Sequence, residues 1–151
     1  LKSGGNAADA TVTLQLVLGL VEPQSSGIGG GSFLTYLDKT NNSVISYDGR
    51  ETAPFYATEN LFLDDNKKSI SFFDAVVGGL SVGVPGTLDL LFTFHRDYGE
   101  LSWEEVIKPV IKLAENGFYP PKRLRNAILK EKFLLNENIN NDYFSKIKKK
   151  L

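Results

Sequence analysis

The chain has 151 residues, 42% apolar and 23% charged, a balance that fits a globular domain of common size and excludes a disordered segment. Its formal net charge of −1 argues against a nucleic-acid partner or an anionic membrane surface. With no cysteine and one histidine, His95, it cannot form disulfides, thiolate or multi-histidine metal sites, or a cysteine nucleophile.

The chain opens directly in Leu1-Lys2-Ser3-Gly4-Gly5 and closes in a lysine-rich run, so both ends read as cut from a longer protein. Asn6 predicts a helix N-cap, and Asp9 places negative charge at the positive end of that helix. The helix is expected from Ala7 to about Leu20. Val12, Leu14, Leu16, Val17, Leu18 and Leu20 make it apolar nearly all round, which predicts cover by neighbouring structure. At ~14 residues it falls short of the ~20 that a bilayer needs.

Pro23 and the glycines between Gly27 and Gly31 end the helix. The run Gly27-Ile28-Gly29-Gly30-Gly31-Ser32 is not a dinucleotide fingerprint, because that motif needs strand, turn, then helix, and here the order is helix, turn, then strand. No Gly-Lys-Ser or Gly-Lys-Thr stands there for a phosphate loop. The glycines serve close packing between helix and sheet, or line a wall beside a substrate pocket.

Phe33 to Leu37 and Val44 to Tyr47 are β-rich runs joined by Asp38-Lys39-Thr40-Asn41-Asn42-Ser43, the pattern of an antiparallel hairpin. Thr52 to Gly83 reads as loop, with turns at Asp64-Asp65-Asn66 and Gly78-Gly79. From Gly86 the period turns helical, with Leu88, Leu91, Phe92, His95 and Tyr98 near one face and Gly99 as terminator. Ser102 and Glu105 form a capping box, and Leu101 and Val106 a hydrophobic staple. Pro109 predicts a kink or restart in a helix running to Asn116, where Gly117 stops it. A last helix is expected from Lys122 to about Leu135, and another in the tail from Asp142, where Lys146, Lys148, Lys149 and Lys150 read as a solvated face.

Arg50 is the candidate binding residue. It follows a strand, and its planar, always-charged guanidinium matches a carboxylate with two parallel hydrogen bonds. The competing reading is a structural ion pair with Asp48, Glu51 or another acid. Asp9, Glu22, Asp48 and Glu51 are carboxylates near the same motifs, but their spacing defines no acid–base pair. Asp9 is better explained by helix capping, and Glu51 by orienting Arg50 or the local turn. His95 reads as a packed or surface imidazole, and Trp103 as core.

Five segments, in chain order, resemble the gamma-glutamyltranspeptidase family. They are Gly4 to Ala10, Glu22-Pro23-Gln24-Ser25-Ser26-Gly27-Ile28-Gly29-Gly30-Gly31, Tyr47-Asp48-Gly49-Arg50-Glu51-Thr52-Ala53-Pro54, Gly83 to Thr87 and Leu113 to Phe118. The resemblance implies an α+β fold, part of the αββα sandwich of N-terminal nucleophile hydrolases. In those enzymes a precursor cuts itself and exposes a threonine whose own α-amino group is the base. The threonine takes a γ-glutamyl group from an amide such as glutathione and passes it to water or an acceptor amine.

By this resemblance Arg50 contacts the α-carboxylate of the γ-glutamyl donor, and residues 1–151 form a partial domain from the front of the large subunit. No threonine here stands in the family's processing motif, so no catalytic residue is assigned. The chain alone is expected to be inactive. Its expected partners are the γ-glutamyl substrate, the remainder of the large subunit and the small subunit. No cofactor, metal, nucleic acid or membrane contact is expected, and the resemblance suggests a periplasmic or extracellular setting. Related acylases or amidohydrolases acting on other amides, and a non-catalytic scaffold descendant, are the alternatives.

Overall fold

The computed structural model of the chain describes residues 1–131. In chain order they form α1 (Ala7–Val21), β1 (Ser32–Asp38), β2 (Ser43–Gly49), α2 (Phe72–Val76), α3 (Thr87–Tyr98), α4 (Trp103–Asn116) and α5 (Lys122–Lys130). The strands pair antiparallel from Ser32 opposite Gly49 to Asp38 opposite Ser43. The Asp38 carboxylate accepts from the backbone N–H groups of Thr40 and Asn41, and Asn42 takes a left-handed φ of 49° that turns the chain back.

Alternation along the strands sends Leu34, Tyr36, Ile45 and Tyr47 toward α3 and leaves Phe33, Leu37 and Val44 on the opposite, exposed face. Under the hairpin, Val12 of α1, Leu90 and Leu91 of α3 and Val106 of α4 form the core, flanked by Leu16, Leu101, Trp103 and Ile107. Phe94 meets Tyr36 and Tyr47 edge-on at centroid distances of 5.3 and 5.5 Å. Burying that one ring is worth roughly 2–3 kcal/mol. Helix α1 is tied to α4 by a bond from the Thr13 hydroxyl to the Val106 carbonyl.

Both expected capping boxes are present, Asn6 with Asp9 and Ser102 with Glu105. The turn at Asp64 forms as expected, its carboxylate accepting from the backbone of Asn66 and Lys68. Other expectations are corrected. Pro109 does not restart α4, which runs through it as one helix. Gly117, at φ 74°, does stop that helix. Helix α5 ends at Lys130, because Glu131 turns extended; the rest of the expected Leu135 terminus and the lysine tail lie outside the described residues.

The α3 core face is Thr87, Leu90, Leu91, Phe94 and His95, rotated from the expected one so that Leu88 and Phe92 are half exposed. Gly99 ends α3 with an extended rather than left-handed backbone. A β-carbon there would lie 2.6 Å from both the His95 ring and the His95 carbonyl oxygen, so close approach to His95 is what requires glycine. The five-residue α2 lies in the expected loop region. Its signal was Ser71 capping the Asp74 N–H.

Only Ala8, Asp9 and Val12 of α1 are buried, since α3 and α4 cover one side of it; Leu14 stays 59% exposed. No helix among the described residues is long and apolar enough to cross a membrane. With Phe33 and Val44 both 67% exposed on the hairpin's outer face, the isolated chain is expected to self-associate and bind hydrophobic dye. A monodisperse monomer in sedimentation, without dye fluorescence, would contradict this.

Candidate functional site

Strand β2 ends at Gly49, and Arg50 leaves the sheet where the hairpin passes over the start of α3. The side chain of Asp48 turns back to accept from the Arg50 N–H at 2.9 Å. Two residues on, Thr52 and Val84 exchange backbone hydrogen bonds of 3.3 and 2.9 Å, anchoring the far side. The Gly30 carbonyl accepts from the N–H groups of Gly86 and Thr87 and from the Thr87 hydroxyl at 3.0 Å. Thr87 is fully buried, so this last bond is shielded from water. The backbone around Arg50 is therefore held from two sides.

The Arg50 side chain itself is exposed, and among the described residues no carboxylate pairs with its guanidinium. Neither Asp48 nor Glu51 forms the alternative ion pair. Asp48 is spent on the backbone, and Glu51 folds its methylene groups beside Gly83 and its carboxylate beside Gly31. Glu51 lies against Gly31 and Gly83 and makes no ion pair with Arg50. An unpaired guanidinium on a fixed backbone can take a carboxylate in its planar fork without first breaking another ion pair.

The other candidates lie elsewhere. Glu22, at the end of α1, stands 3.6 Å from Arg123 of α5. Asp9 does more than cap. Its carboxylate accepts from the N–H groups of Asn6, Glu100 and Leu101 at 2.7, 3.2 and 3.2 Å and meets His95 Nε2 at 3.0 Å. Burial by itself would raise the Asp9 pKa, but the bonds from Asn6, Glu100, Leu101 and His95 outweigh it and hold the group below its usual value. His95 is buried, as a packed imidazole, with its ring edge against Trp103. Sequence reading missed this knot, although the lone histidine and the N3 aspartate were both visible.

The glycine run divides between its two readings. A β-carbon on Gly29 or Gly30 would meet nothing within 4 Å, whereas one on Gly31 would strike the Arg50–Glu51 backbone. Close packing accounts for Gly31 alone. An open apolar depression of about 790 Å³ lies between α1, α3 and α4, walled by Leu16, Ile28, Leu88, Phe92, Trp103 and Ile107. It explains where Leu88 and Phe92 face, but its one charged lining residue is Asp89, which repels a carboxylate ligand, and Arg50 is not in its wall.

Comparison with known proteins identifies a family. The family model described as Gamma-glutamyltranspeptidase matches residues 1–151. The glutathione hydrolase proenzyme of Bacillus subtilis is 46% identical over 128 residues, covering 85% of this chain and 22% of that protein. A gamma-glutamyltranspeptidase from Pseudomonas nitroreducens, solved in complex with L-DON, superposes with a TM-score of 0.86 at 34% identity, over 96% of this chain and 43% of that one. The Helicobacter pylori gamma-glutamyltranspeptidase gives 0.80 at 36% identity, over 85% and 36%. The chain thus spans about a fifth of the length of the curated relatives it matches.

Proposed function

The chain belongs to the gamma-glutamyltranspeptidase family, and we propose that it forms a front portion of the large subunit of an enzyme that cleaves γ-glutamyl amides such as glutathione. The γ-glutamyl group would pass to water or an acceptor amine through a threonine nucleophile supplied by the small subunit of the same precursor. Within this chain the assigned role is Arg50's, which binds the α-carboxylate of the donor. The observation that carries the assignment is the exposed guanidinium, unpaired among the described residues, on a backbone held by Asp48 on one side and the Thr52–Val84 pair on the other. A charge-assisted contact of this kind contributes about 1.5–3 kcal/mol, enough to select donors with an amino-acid end.

The hairpin supports the architectural half of the reading. With helices under one face and Phe33, Leu37 and Val44 bare on the other, it has the build of one αβ half of an αββα sandwich, awaiting a second sheet. Among the described residues no serine or threonine hydroxyl bonds to the one imidazole, His95, so none stands as a histidine-activated nucleophile.

The experiment compares two preparations on a γ-glutamyl anilide. The full-length protein that contains this chain, after self-cleavage, is expected to release the aniline, with acceptor dipeptide raising the rate. The purified 151-residue chain is expected to release none. Turnover by the chain alone, or a full-length protein that processes itself yet ignores the anilide, overturns the reading.

A further inference from the structure

We propose that Gly31 and Gly86 are positioning residues for Arg50, two side-chain-free jaws that close on the Gly49–Glu51 backbone and fix the Cα from which the guanidinium extends. This rests on the reading of Arg50 as the carboxylate-binding residue. A β-carbon on Gly31 would lie 2.8 Å from Arg50 Cα and 2.5 Å from the Glu51 nitrogen. One on Gly86 would lie 2.7 Å from the Gly49 carbonyl carbon and 3.1 Å from the Arg50 carbonyl oxygen, and would strike the Gly49 oxygen. The Gly31 β-carbon would also strike the Glu51 carboxylate, a side chain that can move, but the other neighbours at both jaws are backbone, which cannot swing aside.

Conformation does not account for these glycines. The positive-φ glycines among the described residues are Gly4, Gly78 and Gly117, and Gly86 sits at φ −115°, open to any residue. The two jaws are also joined to each other, through the Gly30 carbonyl that accepts from the Gly86 and Thr87 N–H groups and the Thr87 hydroxyl. Methyl groups at either jaw push the Arg50 segment outward. Because the guanidinium hangs from that segment, its fork moves relative to any bound carboxylate.

The test uses the full-length, processed protein and two donors, a γ-glutamyl anilide and the 4-aminobutanoyl anilide that is the same donor without its α-carboxylate. Gly86→Ala is expected to lower kcat/KM for the glutamyl donor about tenfold or more, mainly through KM, since misplacement near 1 Å can cost ~10²-fold. The decarboxylated donor should move less than about threefold. Adding Arg50→Ala to Gly86→Ala should cost much less than it does in the wild type, because both changes remove one contact.

Equal losses on both donors would mean a general structural role and overturn the proposal. If Gly86→Ala does not mature, Thr87→Val decides by the same ratio, since it removes the side-chain bond of the three that join the jaws at nearly constant volume. A severalfold donor-selective loss supports the proposal, and a ratio within about twofold of wild type overturns it. Failure of the Arg50 reading is separately visible: Arg50→Ala would then leave the donor ratio unchanged.

Discussion

Arg50→Ala, in the full-length and processed protein, is expected to raise KM for a γ-glutamyl anilide by about 10- to 150-fold, the equivalent of the ~1.5–3 kcal/mol of a charge-assisted hydrogen-bonded contact. The α-carboxylate is remote from the bond that breaks, so the contact is made equally in ground and transition states, and its loss falls first on KM. Any drop in kcat measures how far a loosely held donor misses the attack geometry. Arg50→Lys should recover only part of the loss, because an ammonium keeps the charge and loses the two-pronged fit. The 4-aminobutanoyl donor should be nearly indifferent to either change. A KM for the normal donor within about twofold of wild type, less than ~0.4 kcal/mol, would make Arg50 structural.

The reason to expect a large effect lies in what surrounds the side chain. An arginine already paired with Asp48 or Glu51 would have to give up one ion pair to gain another, and the net gain would be small. Here Asp48 is turned onto its own backbone, and Glu51 is folded against Gly31 and Gly83. Among the described residues, neither of these acids nor any other pairs with the guanidinium.

Local signals in the sequence carried most of the architecture. Asn6 with Asp9 and Ser102 with Glu105 marked two helix starts, because a cap and its N3 partner are short-range chemistry. The β-rich runs Phe33–Leu37 and Val44–Tyr47 with their polar connection marked the hairpin for the same reason. What stayed hidden was long-range. The face of α3 depends on which side the hairpin approaches, and periodicity could not decide between Leu88 and Phe92 on one flank and Leu90 and Phe94 on the other. The site divides in the same way. Arg50 stood out by residue type and by its motif, whereas the pairing of Gly31 with Gly86 joins positions far apart in sequence, and only the folded chain brings them together.

The second large effect is expected at the buried knot around Asp9. Three backbone donors, at Asn6, Glu100 and Leu101, and His95 Nε2 all end on this one carboxylate, which is 2% exposed. An ionised carboxylate only accepts, so Nε2 must carry the ring proton. Asp9→Asn keeps the shape but removes the charge and turns an –NH2 toward donors. Leaving buried N–H groups unmet costs about 1–3 kcal/mol each, so a local loss near 3 kcal/mol is expected. Amide exchange at Glu100 and Leu101, measured in the full-length protein, should speed up by roughly 10²-fold.

The same carboxylate predicts a pH dependence of definite sign. Its folded pKa lies below the ordinary 3.8, because the four hydrogen bonds outweigh the opposing effect of burial. A depressed carboxylate contributes stability that is fully present above 3.8 and lost as pH falls through the folded value. Corrected for intrinsic exchange rates, protection at Glu100 and Leu101 should hold from neutral pH down to about 4 and collapse below it in the wild type. Asp9→Asn has no proton to gain there, so its weaker protection should be flat over the same range. Wild-type protection lost already near pH 6 would contradict this assignment, and protection unaltered by Asp9→Asn would show that the three-way junction of α1, α3 and α4 stands without its carboxylate.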